Sequence, residues 1–250
     1  LNFIIMKPSE KVLFISNWIK NYVETMPVKA QALVIGISGG IDSSVSSTLS
    51  AMTGLKTIVL SMPIKQQSSQ HDLSIKHQEW LIKNFKNVEA YTLNLDQLFE
   101  TFKKSLSKFD NNHGMANSRA RLRMTTLYQV ASANKGLVVG TGNKVEDFGV
   151  GFYTKYGDGG VDISPIADCN KTEVWEIGIE MKILKEIIDA APTDGLWDDG
   201  RTDEGQLGLK YIELEEAMNN LNSVNREKYE KIRKLNLHKM EPIPVCKIPD

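Results

Sequence analysis

From Pro8 to Val23 the apolar residues Val12, Leu13, Ile15, Trp18, Ile19 and Tyr22 recur at helical spacing, which predicts an opening amphipathic helix with Ser9 as its cap. Three short β-prone runs follow, Leu33 to Ile37, Thr57 to Ser61 and Val88 to Leu93. They are separated by helical patterns at Ser43 to Met52 and His71 to Phe85, the alternation of parallel strands with crossover helices. A longer helical pattern from Met115 to Asn134 leads into a fourth buried run, Leu137 to Gly140. The predicted class is α/β, a parallel sheet with helices on both faces.

The second half is less regular. Between Gly149 and Gly160 the chain is rich in glycine and aromatic residues, as in a loop whose backbone approaches a ligand closely. Helical patterns resume at Lys171 to Met181, Tyr211 to Leu221 and Val224 to Leu235, and the tail from Glu241 carries little pattern. Pro192 to Gly205, with few apolar residues, is predicted to be a long mobile loop of the kind that usually serves function. No internal repeat interrupts this order, and 250 residues suit one unit spanning 1–250.

Composition narrows the picture. With 41% hydrophobic and 24% charged residues the chain is neither disordered nor a coiled coil. Thirty basic residues against 31 acidic ones leave a formal charge of −1, so no global basic field recruits nucleic acid or an anionic membrane. No apolar run is long enough to cross a bilayer, and Leu1 to Met6 lacks the basic start and cleavage site of an export signal. Cys169 and Cys246 lie far apart without metal-ligand spacing, which points to a reducing compartment, the cytoplasm. Histidines 71, 77 and 113 form no ligand cluster and are expected at the surface.

The sharpest feature is the passage from the first strand through Gly36-Ile37-Ser38-Gly39-Gly40-Ile41-Asp42-Ser43 into a helix. Backbone amides in such a turn, with the positive helix N-terminus, make an anion site suited to phosphate. No Gly-Lys-Ser/Thr follows, and the spacing is not Gly-x-Gly-x-x-Gly, so neither a Walker A loop nor a dinucleotide fingerprint is present. The alternative is a plain glycine turn in which Asp42 and Ser43 cap the helix. Ser-Gly-Gly-x-Asp-Ser resembles the pyrophosphate loop of the N-type ATP pyrophosphatases, which cleave ATP between the α and β phosphates and adenylate a substrate.

Three further blocks, Asn117 to Met124, Val139 to Glu146 and Gly151 to Asp162, extend the likeness along essentially the whole chain. Together with the loop they resemble the NAD synthetases, in particular the ammonia-dependent ones. The resemblance implies a Rossmann-like, adenine nucleotide alpha hydrolase-like fold and a C–N ligase of NAD biosynthesis. Its implied partners are ATP, deamido-NAD and ammonia, with Mg2+ as cofactor and a second copy of the chain in a C2 homodimer. It places Gly36, Ile37, Ser38, Gly39, Gly40, Ile41, Asp42, Ser43, Thr141, Lys171 and Thr193 on ATP, and Asp42 and Glu146 on magnesium. It places Arg121, Lys155, Asp162, His238 and Lys239 on deamido-NAD, and gives Asp42 and Lys171 the catalytic roles.

The residues themselves leave alternatives beside each of these roles. Arg119, Arg121 and Arg123 cannot all share one helix face, so one or two point inward and the rest make surface pairs. Two carboxylates, Asp42 and Glu146, suit a hard cation whose remaining ligands are phosphate and water. Glu146 also reads as an exposed acid at a helix start, with Asp147 beside it as a competing carboxylate. Lys171 reads equally as a solvated helix-start lysine, Lys155 and Asp162 as members of a surface turn, and His238-Lys239 as part of a solvated tail. Cys169 is expected to be a small buried side chain. By the same resemblance Pro192 to Glu204 corresponds to a mobile loop that closes over the site and excludes water, and Met62 to Ser69 sits where a second mobile loop is expected. The length leaves no room for an amidotransferase domain, so free ammonia is the expected nitrogen donor. The rivals are a superfamily enzyme with another acceptor, such as a tRNA, and a non-catalytic nucleotide sensor on the same fold.

Overall fold

A strand buried on both faces requires apolar residues on both sides of its pleat, and Ala32–Gly36 supplies them. In the computed structural model, which describes residues 6–65, 68–193, 195–196 and 201–249, this segment is β1, at the interior of the sheet. It pairs in parallel with β2 (Thr57–Ser61) on one side and β4 (Gly136–Val138) on the other, and β3 (Val88–Thr92) completes the order β3-β2-β1-β4. A parallel bridge between Val139 and Ile163 extends the β4 side. The first three strands lie where the apolar runs predict them, and the fourth, expected over Leu137 to Gly140, covers Gly136–Val138.

Leu33 and Ile35 of β1 face one helical layer, formed by α1 (Pro8–Thr25), α2 (Ile41–Met52) and α6 (Lys171–Glu180). Ala32 and Val34 face the other, formed by α4 (Asp96–Ser105) and α5 (Asn112–Ala133). The helix α3 (Ser68–Asn84) covers β2 and β3 through Leu81 against Val59 and Val88. The remaining helices, α7 (Lys185–Ile188), α8 (Asp203–Leu207), α9 (Tyr211–Asn219) and α10 (Arg226–Met240), follow the sheet. Residues of α8, α9 and α10 bury a separate cluster against Val145 and Val150.

Several expectations need correction. The first helix starts at Pro8, whose fixed φ suits the first helical position, and Glu10 accepts a hydrogen bond from the Lys7 backbone N–H at 2.7 Å, so Ser9 is not the cap. His77 is not at the surface: it is fully buried, its Nε2 lies 3.0 Å from Ser47 Oγ, and its ring stacks on Trp80. The last helix reaches Met240, so His238 and Lys239 lie on α10 and not in a loose tail. Cys169 is buried and Cys246 exposed, both free. Among the described residues no helix is long and apolar enough to cross a membrane. The expectations for residues 1–5, 66–67, 194 and 197–200 lie outside the described residues.

Candidate active site

The chain runs β1, β2, β3 outward on one side of the sheet and returns to place β4 on the other side of β1. This reversal leaves a crevice at the carboxyl ends of β1 and β4, the place where open α/β sheets bind ligands. A cleft of about 260 Å³ occupies it, lined by residues 36–43 from the β1 end and by Thr141, Gly142 and Glu146 from the β4 end.

The glycine loop is built as the sequence requires. Gly39 has φ +93°, a conformation that a side-chain-bearing residue rarely adopts. Ser38 Oγ accepts from the Gly40 N–H at 3.2 Å, and Ser43 Oγ donates to the Gly40 carbonyl at 3.1 Å, so the turn is closed by its own hydroxyls. The N-cap of α2 is Gly40, with no side-chain cap. Asp42 is therefore not a capping residue, and its carboxylate is turned to another task.

That task lies across the cleft. Asp42 Oδ2 accepts from the Lys171 ammonium at 2.5 Å, and Glu146 Oε1 accepts from the same ammonium at 2.9 Å. The Lys171 side chain is 2% exposed, and those of Asp42 and Glu146 are 17% and 15% exposed. The solvated readings of Lys171 and Glu146 are thus overturned. Asn143 holds the arrangement: its Nδ2 donates to Asp42 Oδ1 at 2.9 Å, while its Oδ1 accepts from the N–H groups of Val145 and Glu146 at 3.0 Å. One buried side chain thereby caps the π-helical turn Lys144–Val150 and fixes the opposite carboxylate.

Electrostatics follow from burial and from one cation between two anions. Burial, the largest influence on Asp42, together with the nearby Glu146 charge lifts its carboxyl above the ordinary range against the pull of Lys171. Burial also pushes Glu146 upward, but the Lys171 charge and the hydrogen bonds from Tyr211, Lys171 and Asn143 outweigh it and hold the group below that range. For Lys171, burial works against the charged form and the two carboxylates overcome it, so the ammonium titrates above an ordinary lysine. Deeper in the wall, burial and neighbouring acids raise Asp147 well above its usual value, and burial raises Asp158 to about 6.

The predicted site residues separate into two groups. Residues 36–43, Thr141, Glu146, Lys171 and Thr193 line the cleft. Arg121, Lys155, Asp162, His238 and Lys239 do not. Arg121 lies on the exposed side of α5 with its Nε donating to the Lys155 carbonyl at 3.2 Å. Asp162 accepts from the Tyr128 hydroxyl at 3.0 Å and from the Val138 N–H at 2.7 Å. Lys239 donates to the Tyr153 carbonyl at 2.7 Å. The arginines that turn inward are Arg119, whose Nη1 donates to the Leu196 carbonyl at 2.8 Å, and Arg123, whose Nε donates to the Met62 carbonyl at 3.0 Å. They are four residues apart on one helix, so the pitch of α5 puts them on one side and Arg121 on the other.

The donor set suits a small hard cation. Two carboxylates from distant parts of the chain already converge on one positive charge, and oxygen is the ligand that Mg2+ takes. Among the described residues no cluster of three or more His, Cys, Asp or Glu completes a metal site, so phosphate and water would supply the remaining ligands.

With this geometry, comparison with known proteins is decisive. Residues 12–248 match the family model described as NAD synthase. The chain belongs to the NAD synthase family. The NH(3)-dependent NAD(+) synthetase of Mesoplasma florum is 36% identical over 94% of this chain and 95% of its own. That of Carboxydothermus hydrogenoformans is 36% identical over 82% and 83%. Among solved structures, the NMN synthetase of Francisella tularensis superposes with a TM-score of 0.90 at 32% identity, covering 98% of this chain and all (100%) of that one. The NAD synthase resemblance read from the glycine loop and the three blocks is thereby borne out.

Sequence reasoning missed Asn143 and Tyr211 as parts of the site. Asn143 stands inside the motif from Val139 to Glu146, so its place one turn before Glu146 was the available signal. Tyr211 begins a helix far along the chain, and nothing local marks it.

Proposed function

We propose that the protein amidates deamido-NAD to NAD with ammonia at the expense of ATP, through an NAD-adenylate intermediate, with release of pyrophosphate and then AMP. The observation that carries this reading is the convergence of Asp42 and Glu146 on Lys171 at the mouth of a glycine loop built to receive phosphate. A carboxylate resists ammonia until one of its oxygens is converted into a good leaving group, and adenylation does that.

The chain's own residues divide the work. The N–H groups of the glycine loop and the start of α2 hold the departing pyrophosphate. Asp42 and Glu146 would hold Mg2+, which when bound neutralises phosphate charge during transfer. Lys171, released from one carboxylate, presents its ammonium to the oxygens on which charge develops. Thr141 and Thr193 line the nucleotide's place, and Arg119 ties Leu196 of the 192–204 segment to α5, in support of a loop that covers the cleft. No general base is needed, because positioning and charge stabilisation suffice and neutral ammonia is the nucleophile.

Arg121, Lys155, Asp162, His238 and Lys239 are part of the same proposal as contacts for the dinucleotide outside the cleft. The hydrogen bonds from Arg121 to the Lys155 carbonyl and from the Tyr128 hydroxyl to Asp162 join α5 to the loop beside it. We include in the proposal a C2 homodimer meeting at the dinucleotide site and a cytoplasmic setting, the latter supported by two free cysteines.

The likeness to an NMN synthetase favours one second reading. The same adenylation and amidation would then act on the acid form of the mononucleotide, with no adenylate half to bind. Competing deamido-NAD and nicotinate mononucleotide in one reaction with ATP, Mg2+ and ammonium, and weighing the products by mass, tests the choice. Preferential NAD formation supports the first reading, and preferential NMN formation replaces it with the second. Substituting glutamine for ammonium in the same assay tests the nitrogen donor, and equal use of glutamine would contradict it.

A further inference from the structure

Tyr211 opens α9 and is 1% exposed. Its ring meets Trp175 edge-on with centroids 5.9 Å apart, and the Lys171 ammonium lies 4.8 Å from its ring centroid. A phenylalanine would fill the same space. The hydroxyl is what the packing does not require, since burying a phenol without a partner is costly.

That hydroxyl donates to Glu146 Oε1 at 2.5 Å and lies 3.3 Å from Asp203 Oδ2. A phenol has one proton, so it serves one carboxylate at a time, and the shorter contact gives it to Glu146. Lys171 also bonds Oε1, so both contacts fall on one oxygen and the other carries the carboxylate's remaining capacity. The backbone N–H of Tyr211 donates to Glu204 Oε1 at 3.0 Å. Asp203 and Glu204 begin α8, whose cap, Thr202, accepts from the Gly205 N–H at 3.1 Å through its Oγ1. One residue therefore touches a carboxylate of the cation site through its hydroxyl and the start of α8 through its backbone.

We propose that Tyr211 is a positioning residue that orients Glu146, so that the cation-holding carboxylate is set from the start of α9, where the Tyr211 backbone N–H is itself held by Glu204 of α8. This rests on the reading of Glu146 as a ligand of the divalent cation. Partners of metal ligands fix their orientation, and losing one typically weakens metal binding roughly 10–100-fold.

The test uses the full chain with a non-cleavable ATP analogue and Mn2+ as the probe, its binding read by electron paramagnetic resonance. Tyr211→Phe and Glu146→Gln are compared with the parent. Tyr211→Phe is expected to weaken Mn2+ binding by roughly 10–100-fold while metal-free affinity for the analogue stays within about twofold and the thermal midpoint is retained. Parent-like Mn2+ affinity in Tyr211→Phe, where Glu146→Gln has lost it, overturns the proposal and leaves the Glu146 assignment standing. An equal loss of metal-free analogue affinity marks Tyr211 as merely structural and also overturns it. Unchanged Mn2+ binding in Glu146→Gln removes the assignment on which the proposal rests, and the proposal with it.

Discussion

At the scale of single residues the site depends on Lys171, which neutralises two buried acids. Lys171→Met leaves Asp42 and Glu146 facing each other without their cation, a change that typically costs about 3–5 kcal/mol. Thermal melts of this variant should show the loss in chelator and its partial recovery on adding Mg2+, and pyrophosphate release should fall at least about a hundredfold. A melt that ignores Mg2+ would contradict the shared cation site. His77 provides a second test, of stability. Burial lowers it from 6.5 to about 4, so between those values the unfolded chain binds the proton that the folded one refuses. The folded state is fully favoured by this group above pH 6.5 and loses on the order of 3 kcal/mol as the pH falls towards 4. Urea titrations of the protein and of His77→Gln across that window should differ in slope by the His77 contribution, the parent losing more stability than the variant as the pH falls. The sequence indicated Asp42 and Glu146 because they stand inside recognisable blocks, and Lys171 through the family resemblance that those blocks carry. It hid His77, because a histidine on a helix face carries no mark of which neighbour will cover it.

At the scale of elements the glycine loop carries the ATP site. Gly39→Ala forces a side chain into φ +93°, with a strain cost of order 1–3 kcal/mol, and moves the amides that face the phosphate. Nucleotide binding should weaken by more than the loss of stability explains, as calorimetry with ATP would show. The strands were legible because each is a short apolar run bounded by turn residues. The helix α4 carries the same kind of signal, Leu95, Phe99, Phe102 and Leu106 at helical spacing on one packed face, and the sequence reading passed over it. The short helix α8 was concealed inside a segment rich in Gly, Asp and Thr, where Thr202 caps five residues. On α5 the pitch was legible and the direction was not: spacing said that alternate arginines diverge, and only the packing against the sheet shows Arg119 and Arg123 turned inward.

At the scale of the molecule, the reversal of strand order beside β1 creates the cleft, and the chain's distant segments meet there. The alternation of strands and helices predicted the layers, but the strand order is a tertiary choice that periodicity does not encode. Activity should rise with pH as ammonium gives up its proton, when rates are measured at constant total ammonium. The most direct test of the central claim is the exchange of labelled pyrophosphate into ATP, with Mg2+ and the acid substrate present and ammonia withheld. The account predicts exchange that requires the acid substrate, does not require ammonia, and vanishes in Asp42→Asn. Exchange that persists in Asp42→Asn, or cleavage of ATP to ADP and inorganic phosphate in place of pyrophosphate and AMP, would contradict it.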